Sequence, residues 1–276
     1  MPIARRVAYR LLPSSILGCV RSYLLARRLR SFPVRQARHR YGDVELTVEL
    51  SDDLAVGWYD ADSPPLPELQ LLAPRLKANS LVFDLGAHQG VVALQLANAV
   101  GESGRVIALE ANPHNAHAAQ RNKELNGAEN LQILHAAVAE VSGPVVFNSS
   151  LNGSMDDGSG KFGKITVDGW SIDDLAERFG IPDLIYLDVE GYELKALNGA
   201  RKVLSHRPNC FVEVHARGQL QAFGGSVDQL LGFFPAAGYD LWVHAQEREG
   251  YEVPQKYEPK DAILSDRFFL TAIAKH

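Results

Sequence analysis

Two cysteines in 276 residues, Cys19 and Cys210, are too few for a disulfide framework, and their separation matches no zinc-ligand spacing. That usage fits a reducing, cytoplasmic setting. Within the apolar run Cys210-Phe211-Val212, Cys210 reads as a small core residue. Long apolar runs are also missing. A membrane-spanning helix needs roughly 20 apolar residues, and the most apolar N-terminal stretch is interrupted by arginines and Pro13. Acids and lysine are absent from residues 1–42, where ten of the 28 basic residues fall, all of them arginine. The remaining 18 basic residues face 33 acidic ones, so the formal net charge of −5 conceals a basic arm on an acidic body.

In that arm Leu11, Leu12, Ile16, Leu17, Val20, Leu24, Leu25 and Leu29 recur near helical spacing. Such a helix suits an anionic membrane surface, a nucleic acid or the acidic body itself. A cleaved transit peptide shares the composition. The rest is ordinary for a globular chain, with 46% hydrophobic and 22% charged residues. Three segments are expected: the arm at 1–42, a lead-in at 43–80 and a main domain at 81–276.

From residue 81 strands and helices alternate, the pattern of a parallel sheet covered on both faces. Leu81–Leu85 reads as a first buried strand, Val91–Val100 as the helix after it and Arg105–Leu109 as a second strand. Asn112 then caps a helix that begins at Pro113, where a missing N–H costs nothing, and ends near Asn126-Gly127. Further strands are expected at 131–134, 184–188 and 210–215, with helices at 172–179, between Ser171 and Gly180, and at 227–237. Segments 239–245 and 268–274 form a terminal antiparallel pair at the sheet edge. One segment breaks the pattern: 148–163 is rich in glycine, serine and asparagine, and is read as a flap over the substrate opening.

The block Asp84-Leu-Gly86-Ala-His-Gln-Gly90 stands between an apolar strand and a helix. Glycines there let the chain turn sharply and let a ligand approach the backbone. Glu110 ends the next strand, twenty residues past Gly90, where a carboxylate can accept two hydrogen bonds from a ribose diol. A dinucleotide site would need a third glycine so that a pyrophosphate can rest on the helix N-terminus. Only two glycines are present, with an acid two positions before the first. Beside Asp84 an anion is repelled, whereas the ammonium and sulfonium of S-adenosylmethionine are favoured. That argues for this cofactor over NAD.

Val82-Phe-Asp-Leu-Gly-Ala-His-Gln-Gly90, Ala108-Leu-Glu110-Ala-Asn-Pro113 and Asp188-Val-Glu190-Gly191-Tyr-Glu193, followed by Leu197-Asn-Gly-Ala200 and Glu213-Val-His215, resemble the FkbM family of S-adenosylmethionine-dependent methyltransferases over roughly residues 80–215. The resemblance implies a doubly wound, Rossmann-like class I methyltransferase fold, with a mostly parallel seven-stranded sheet and one antiparallel edge strand. It also implies O-methylation of a hydroxyl on a sugar, polyketide or other small metabolite. Carried over by position, Asp84, Gly86, Ala87 and Gly90 hold the methionine end, Glu110 the ribose, and Ala137 and Val138 flank the adenine. His88-Gln89 stands where the family usually has a small-polar pair.

An alcohol must lose a proton as it is methylated, and Asp188, Glu190, Glu193 and His215 all sit at strand ends where a base could stand. Asp188 and Glu190 are expected to face the reacting centre, with His215 as general base because its unperturbed pKa is near 6.5. Glu193 falls in a first helical turn, where the helix dipole alone stabilises a carboxylate. No metal is required by this spacing. Three other readings compete. An NAD-dependent oxidoreductase lacks its third glycine. An RNA methyltransferase using the arginine arm lacks the Asn/Asp-Pro-Pro-aromatic block of base-amino enzymes. A non-enzymatic binding protein would have no reason to keep acids at 84, 110 and 188. The acceptor's identity depends on the flap, the arm and segment 246–266.

Overall fold

The structure, a computed structural model, describes residues 14–148, 150–156, 163–216, 218–247, 250–251, 253–258 and 266–275. The described part of the arm is one helix, α1 (Ser14–Arg30), ending on Arg27, Arg28 and Arg30. A hairpin follows, β1 (Arg35–Tyr41) paired antiparallel with β2 (Val44–Leu50). The expected boundary at 42/43 therefore falls in the turn of this hairpin and divides nothing. Helices α2 (Asp53–Tyr59) and α3 (Pro67–Leu72) complete the lead-in.

The main alternation then runs β3 (Leu81–Leu85), α4 (Val91–Val100), β4 (Arg105–Glu110), α5 (Pro113–Leu125) and β5 (Leu131–His135). Next come four short or medium strands, β6 (Ala137–Val138), β7 (Gly143–Asn148), β8 (Ser154–Met155) and β9 (Lys164–Trp170). After them the chain continues through α6 (Ile172–Phe179), β10 (Leu184–Leu187), α7 (Glu193–Asn198), α8 (Arg201–Ser205) and β11 (Asn209–Val214). The last stretch holds α9 (Gln219–Ala222), α10 (Val227–Leu231), β12 (Tyr239–His244), the short pair β13 (Gln246–Glu247) and β14 (Gly250–Tyr251), β15 (Gln255–Lys256) and β16 (Phe268–Ala274).

Eight strands make the central sheet, in the order β15-β12-β16-β11-β10-β3-β4-β5. The five from β5 to β11 are parallel, and β16 runs antiparallel between β11 and β12. The doubly wound α/β fold expected from the sequence is present. It has an eighth strand, and its antiparallel β16 lies inside the sheet, with β12 and β15 beyond it. All five residues of β3 are buried, because both faces of this central strand are covered.

Alternation along the strands divides the core in two. Phe83, Leu85, Ile107, Leu109, Ile185 and Val212 pack on one face against Ile172 and Leu175 of α6 and Leu197 of α7. Val82, Val106, Ala108, Leu184 and Phe211 pack on the other against Val91 and Leu94 of α4. Val48, Leu50 and Leu72 of the lead-in share this second cluster and are at most 1% exposed. The lead-in is thus a piece of the main domain's core.

Polar contacts fasten the same segment. Asp52 caps α2 through Ala55 N–H (2.8 Å) and accepts a 2.6 Å hydrogen bond from the side chain of Gln89. Asn122 of α5 accepts from Glu49 N–H (2.6 Å) and donates to the Gln89 carbonyl (2.8 Å). The helix expected at 227–237 stops after Leu231, since Gly232 and Pro235 follow. A second sheet, β6-β9-β7-β8, was not foreseen. Its Phe147 and Val167 pack with Ala111 and Ala137 beside the carboxyl end of β4.

Candidate active site

At the carboxyl ends of β3, β4, β10 and β11 lies a cavity of about 490 Å³, in the size range of small-molecule sites and at the place where open α/β sheets bind ligands. Its floor is built by the β3–α4 loop. Gly86 and Ala87 N–H both donate to the Leu109 carbonyl, at 3.0 and 2.9 Å, holding this loop against the end of β4. Gly86 adopts φ +97°, and a β-carbon there would lie 1.8 Å from the Asp188 carbonyl oxygen. Glycine is required because β3 and β10 converge at that point.

Asp84, 2% exposed, points from β3 into this region, and its Oδ2 has no hydrogen-bond partner among the described residues. Burial, reinforced by Asp188, pushes its pKa up to about 7. Glu110 accepts from His88 N–H (2.8 Å) and Asn112 N–H (2.6 Å), so each carboxylate oxygen is fixed and keeps a lone pair free. Its pKa is pushed up to about 8, burial outweighing those two hydrogen bonds. Two desolvated carboxyls that no basic side chain pairs with among the described residues suit a cationic ligand.

Of the residues singled out from the sequence, Asp84, Gly86, Ala87, Glu110, Ala137, Val138, Asp188 and Glu190 line the cavity. Gly90 does not: it begins α4 at φ +78°, and a β-carbon there would meet Ala119 Cβ of α5 at 3.1 Å. Its role is helix packing. His215 and Glu193 also stand outside the lining, behind Glu190 and Glu213. Glu193 has no exposed surface. Its Oε1 accepts from Gly191 N–H (2.9 Å) and from His215 Nδ1 (2.7 Å).

The other ring nitrogen, His215 Nε2, lies 3.4 Å from Glu190 and 3.5 Å from Glu213. Burial opposes protonation of this ring, but the hydrogen bond to Glu193 and the surrounding carboxylates overcome it and raise the pKa. With Nδ1 engaged by Glu193 and Nε2 facing Glu190 and Glu213, the ring expected to act as general base stands behind the cavity lining rather than in it. Asp188 is raised well above the usual carboxylate range by burial and by Glu213, and Glu213 rises to about 7 by burial despite Arg267. Glu190, with φ +51°, is held by Asn152 (2.5 Å) and Gln219 (2.8 Å).

Several contributors were missed. Trp58, Tyr59 and Glu68 of the lead-in line the cavity, as do Tyr186, Glu213 and Arg267. Tyr59 Oη lies 2.9 Å from His88 Nδ1, and the Trp58 ring packs on His88 at 4.9 Å between centroids. Tyr186 donates to Glu68 (2.7 Å) across the sheet face. The available signal was the pair Trp58-Tyr59, beginning six residues after the Asp52 cap that follows an alternating strand. From the expected flap, 152–155 line the cavity, whereas 149 and 157–162 lie outside the described residues. So do 248–249, 252 and 259–265 of segment 246–266.

The chain is similar to several known proteins. Ribosomal protein L11 methyltransferase of Clostridium perfringens is 29% identical over 97 residues, which is 35% of this chain and 30% of that protein. The chain therefore spans under a third of that curated relative. Among solved structures, methyltransferase FkbM from Methylobacillus flagellatus KT is 19% identical with TM-score 0.46, covering 71% of this chain and 44% of that one. The O-methyltransferase from Bacillus cereus, crystallised in complex with SAH, is 14% identical with TM-score 0.41, covering 75% and 78%. The profile of the methyltransferase FkbM domain matches residues 84–241, from the buried Asp84 of β3 to β12. With more than half of its length matched in this way, the chain belongs to the FkbM methyltransferase family.

Proposed function

We propose that this chain transfers a methyl group from S-adenosylmethionine to a hydroxyl of an uncharged small acceptor, such as a sugar, a polyketide or a related metabolite. One observation carries the reading: a single cavity joins the cation-seeking pair Asp84 and Glu110 to the carboxylates at the ends of β10 and β11. When bound, S-adenosylmethionine supplies a methyl on a cationic sulfur, released as a neutral thioether as the O–C bond forms. The unpartnered Asp84 Oδ2 suits the ammonium and sulfonium, and the free lone pairs of Glu110 suit a ribose diol. Ala137 and Val138 on β6, both at most 5% exposed, offer an apolar wall for an adenine.

Glu68, Asp188, Glu190 and Glu213 surround the remaining space, against one cavity-lining arginine, Arg267. An anionic acceptor would be repelled there, and this disfavours a nucleic-acid substrate. Aromatic rings of Trp58, Tyr186 and Phe269 provide flat apolar faces for a neutral ring. Glu190 lines the opening, accepts hydrogen bonds from Asn152 and Gln219 that fix it, and receives the acceptor's proton; His215 acts behind it as a positioning residue. The exposed Ile16, Tyr23 and Leu24 on arginine-rich α1 suit peripheral contact with an anionic membrane surface. No described helix is long and apolar enough to cross a membrane.

Mass spectrometry after incubation with S-adenosylmethionine carrying a deuterated methyl, across a panel of neutral and anionic hydroxyl compounds, tests the reading. Label on oxygen of a neutral acceptor is expected. Transfer only to nitrogen, or a preference for anionic acceptors, contradicts it.

A further inference from the structure

We propose that Asp188, Glu213 and His215 form a binding site for a divalent transition-metal cation at the ends of β10 and β11. One ligand atom from each lies within 4.8 Å of the other two. Small side-chain rotations would close that spread around an ion with bonds of about 2.0–2.2 Å.

Three features point to a cation. The hydrogen bond between His215 Nδ1 and the wholly buried Glu193 orients the ring, so that Nε2 faces Glu190 and Glu213, where an ion would replace its proton. Orientation of the far ring nitrogen by a carboxylate is the arrangement found behind metal-bound histidines. Asp188 Oδ1 is buried and has no hydrogen-bond partner among the described residues. Glu213, 6% exposed, is ion-paired through Oε1 with Arg267, so the site already attracts positive charge.

Two carboxylate oxygens and one imidazole nitrogen are too few and too nitrogen-bearing for calcium, and they favour ions such as Mn²⁺, Fe²⁺ or Zn²⁺ over Mg²⁺. Asp188 and Glu213 also line the cavity, so open coordination positions would face the acceptor. There the ion would bind the acceptor hydroxyl and lower its pKa. The proton passes to Glu190, and the O–C bond forms as the C–S bond breaks. This role rests on the methyl-transfer reading; occupancy of the site does not. Arg267, 48% exposed at its side chain, is the positive charge that the ion would displace from Glu213.

The test titrates Mn²⁺ alone into chelator-stripped full-length protein, following free Mn²⁺ by electron paramagnetic resonance, with S-adenosylmethionine binding measured calorimetrically on the same samples. One saturable site is expected. Glu213→Gln and His215→Gln should each weaken it at least tenfold with cofactor binding retained, which reports an intact fold. Arg267→Ala, at an exposed position, should tighten it severalfold by removing the competing charge. Absence of saturable Mn²⁺ binding by the parent, or unchanged binding in Glu213→Gln, overturns the site. A parent that binds Mn²⁺ but not S-adenosylmethionine keeps the site and loses the methyl-donor reading.

Discussion

Gly86 and Asp188 meet so closely that a β-carbon on Gly86 would lie 1.8 Å from the Asp188 carbonyl oxygen. Through this contact the ends of β3 and β10, which carry Asp84 and Asp188 at the cavity, are set at one fixed distance. Gly86→Ala should therefore push β3 and β10 apart. The left-handed backbone alone costs roughly 1–2 kcal/mol for a residue with a side chain, before the clash. Loss of cofactor binding is expected in calorimetry, together with a lower melting temperature. Gly90→Ala meets only Ala119, at 3.1 Å, and should lose stability while keeping cofactor affinity once folded. A fully stable Gly90→Ala that cannot bind cofactor would contradict the packing role assigned to Gly90.

Glu193 and His215 form a buried pair whose members depend on each other. Removing one partner of such a pair typically costs about 3–5 kcal/mol, because the other is left uncompensated. Urea unfolding of Glu193→Ala, His215→Ala and the double variant should show losses that fall short of additivity by about 0.5–3 kcal/mol. Strict additivity would mean that the two side chains do not act together.

Trp58 is 50% exposed and packs on His88 at the cavity wall. Trp58→Ala should cost little stability, about 0.5–1.5 kcal/mol for the lost ring contact. Acceptor KM should rise about tenfold, which is about 1.4 kcal/mol of binding, with kcat changed less. An unchanged KM would place the acceptor elsewhere.

The pH dependence follows from Asp84 and Glu110, raised to about 7 and about 8 by burial. In the unfolded chain both groups ionise near pH 4. Between about pH 4 and pH 8 the folded protein thus holds more protons than the unfolded one, and their contribution to stability falls as pH rises. A cationic cofactor prefers the ionised carboxylates. Its affinity, and the rise in melting temperature that it causes, should grow from pH 6 to pH 8.5. A thermal shift that is constant over this range would contradict the pairing of these acids with a cation.

Much of the frame was legible because local rules and tertiary packing agree in it. Leu81–Leu85 is apolar apart from Asp84 and buried on both faces, and Ser171 and Gly180 delimit α6 as their caps and backbone angles require. The acids at 84, 110, 188 and 190 were found because strand ends put side chains at one rim of the sheet. Gly90 was misread because glycine spacing does not distinguish approach by a ligand from approach by a helix. Only the fold shows that α5 lies there. The lead-in was underrated for a related reason: Gln89 fastens Asp52 from 37 positions away, and no local pattern marks that contact. Glu213 went unassigned because it sits within a strand rather than after one, so its position at the cavity depends on the pairing with β10 and β16.

The central claim is that Asp84 and Glu110 hold S-adenosylmethionine, and calorimetric titration of the purified chain with this compound and, in parallel, NAD tests it most directly. Saturable binding of S-adenosylmethionine alone, weakened at least tenfold in Glu110→Ala, is the result expected. Binding of NAD in its place, or equal affinity in the variant, would contradict the account.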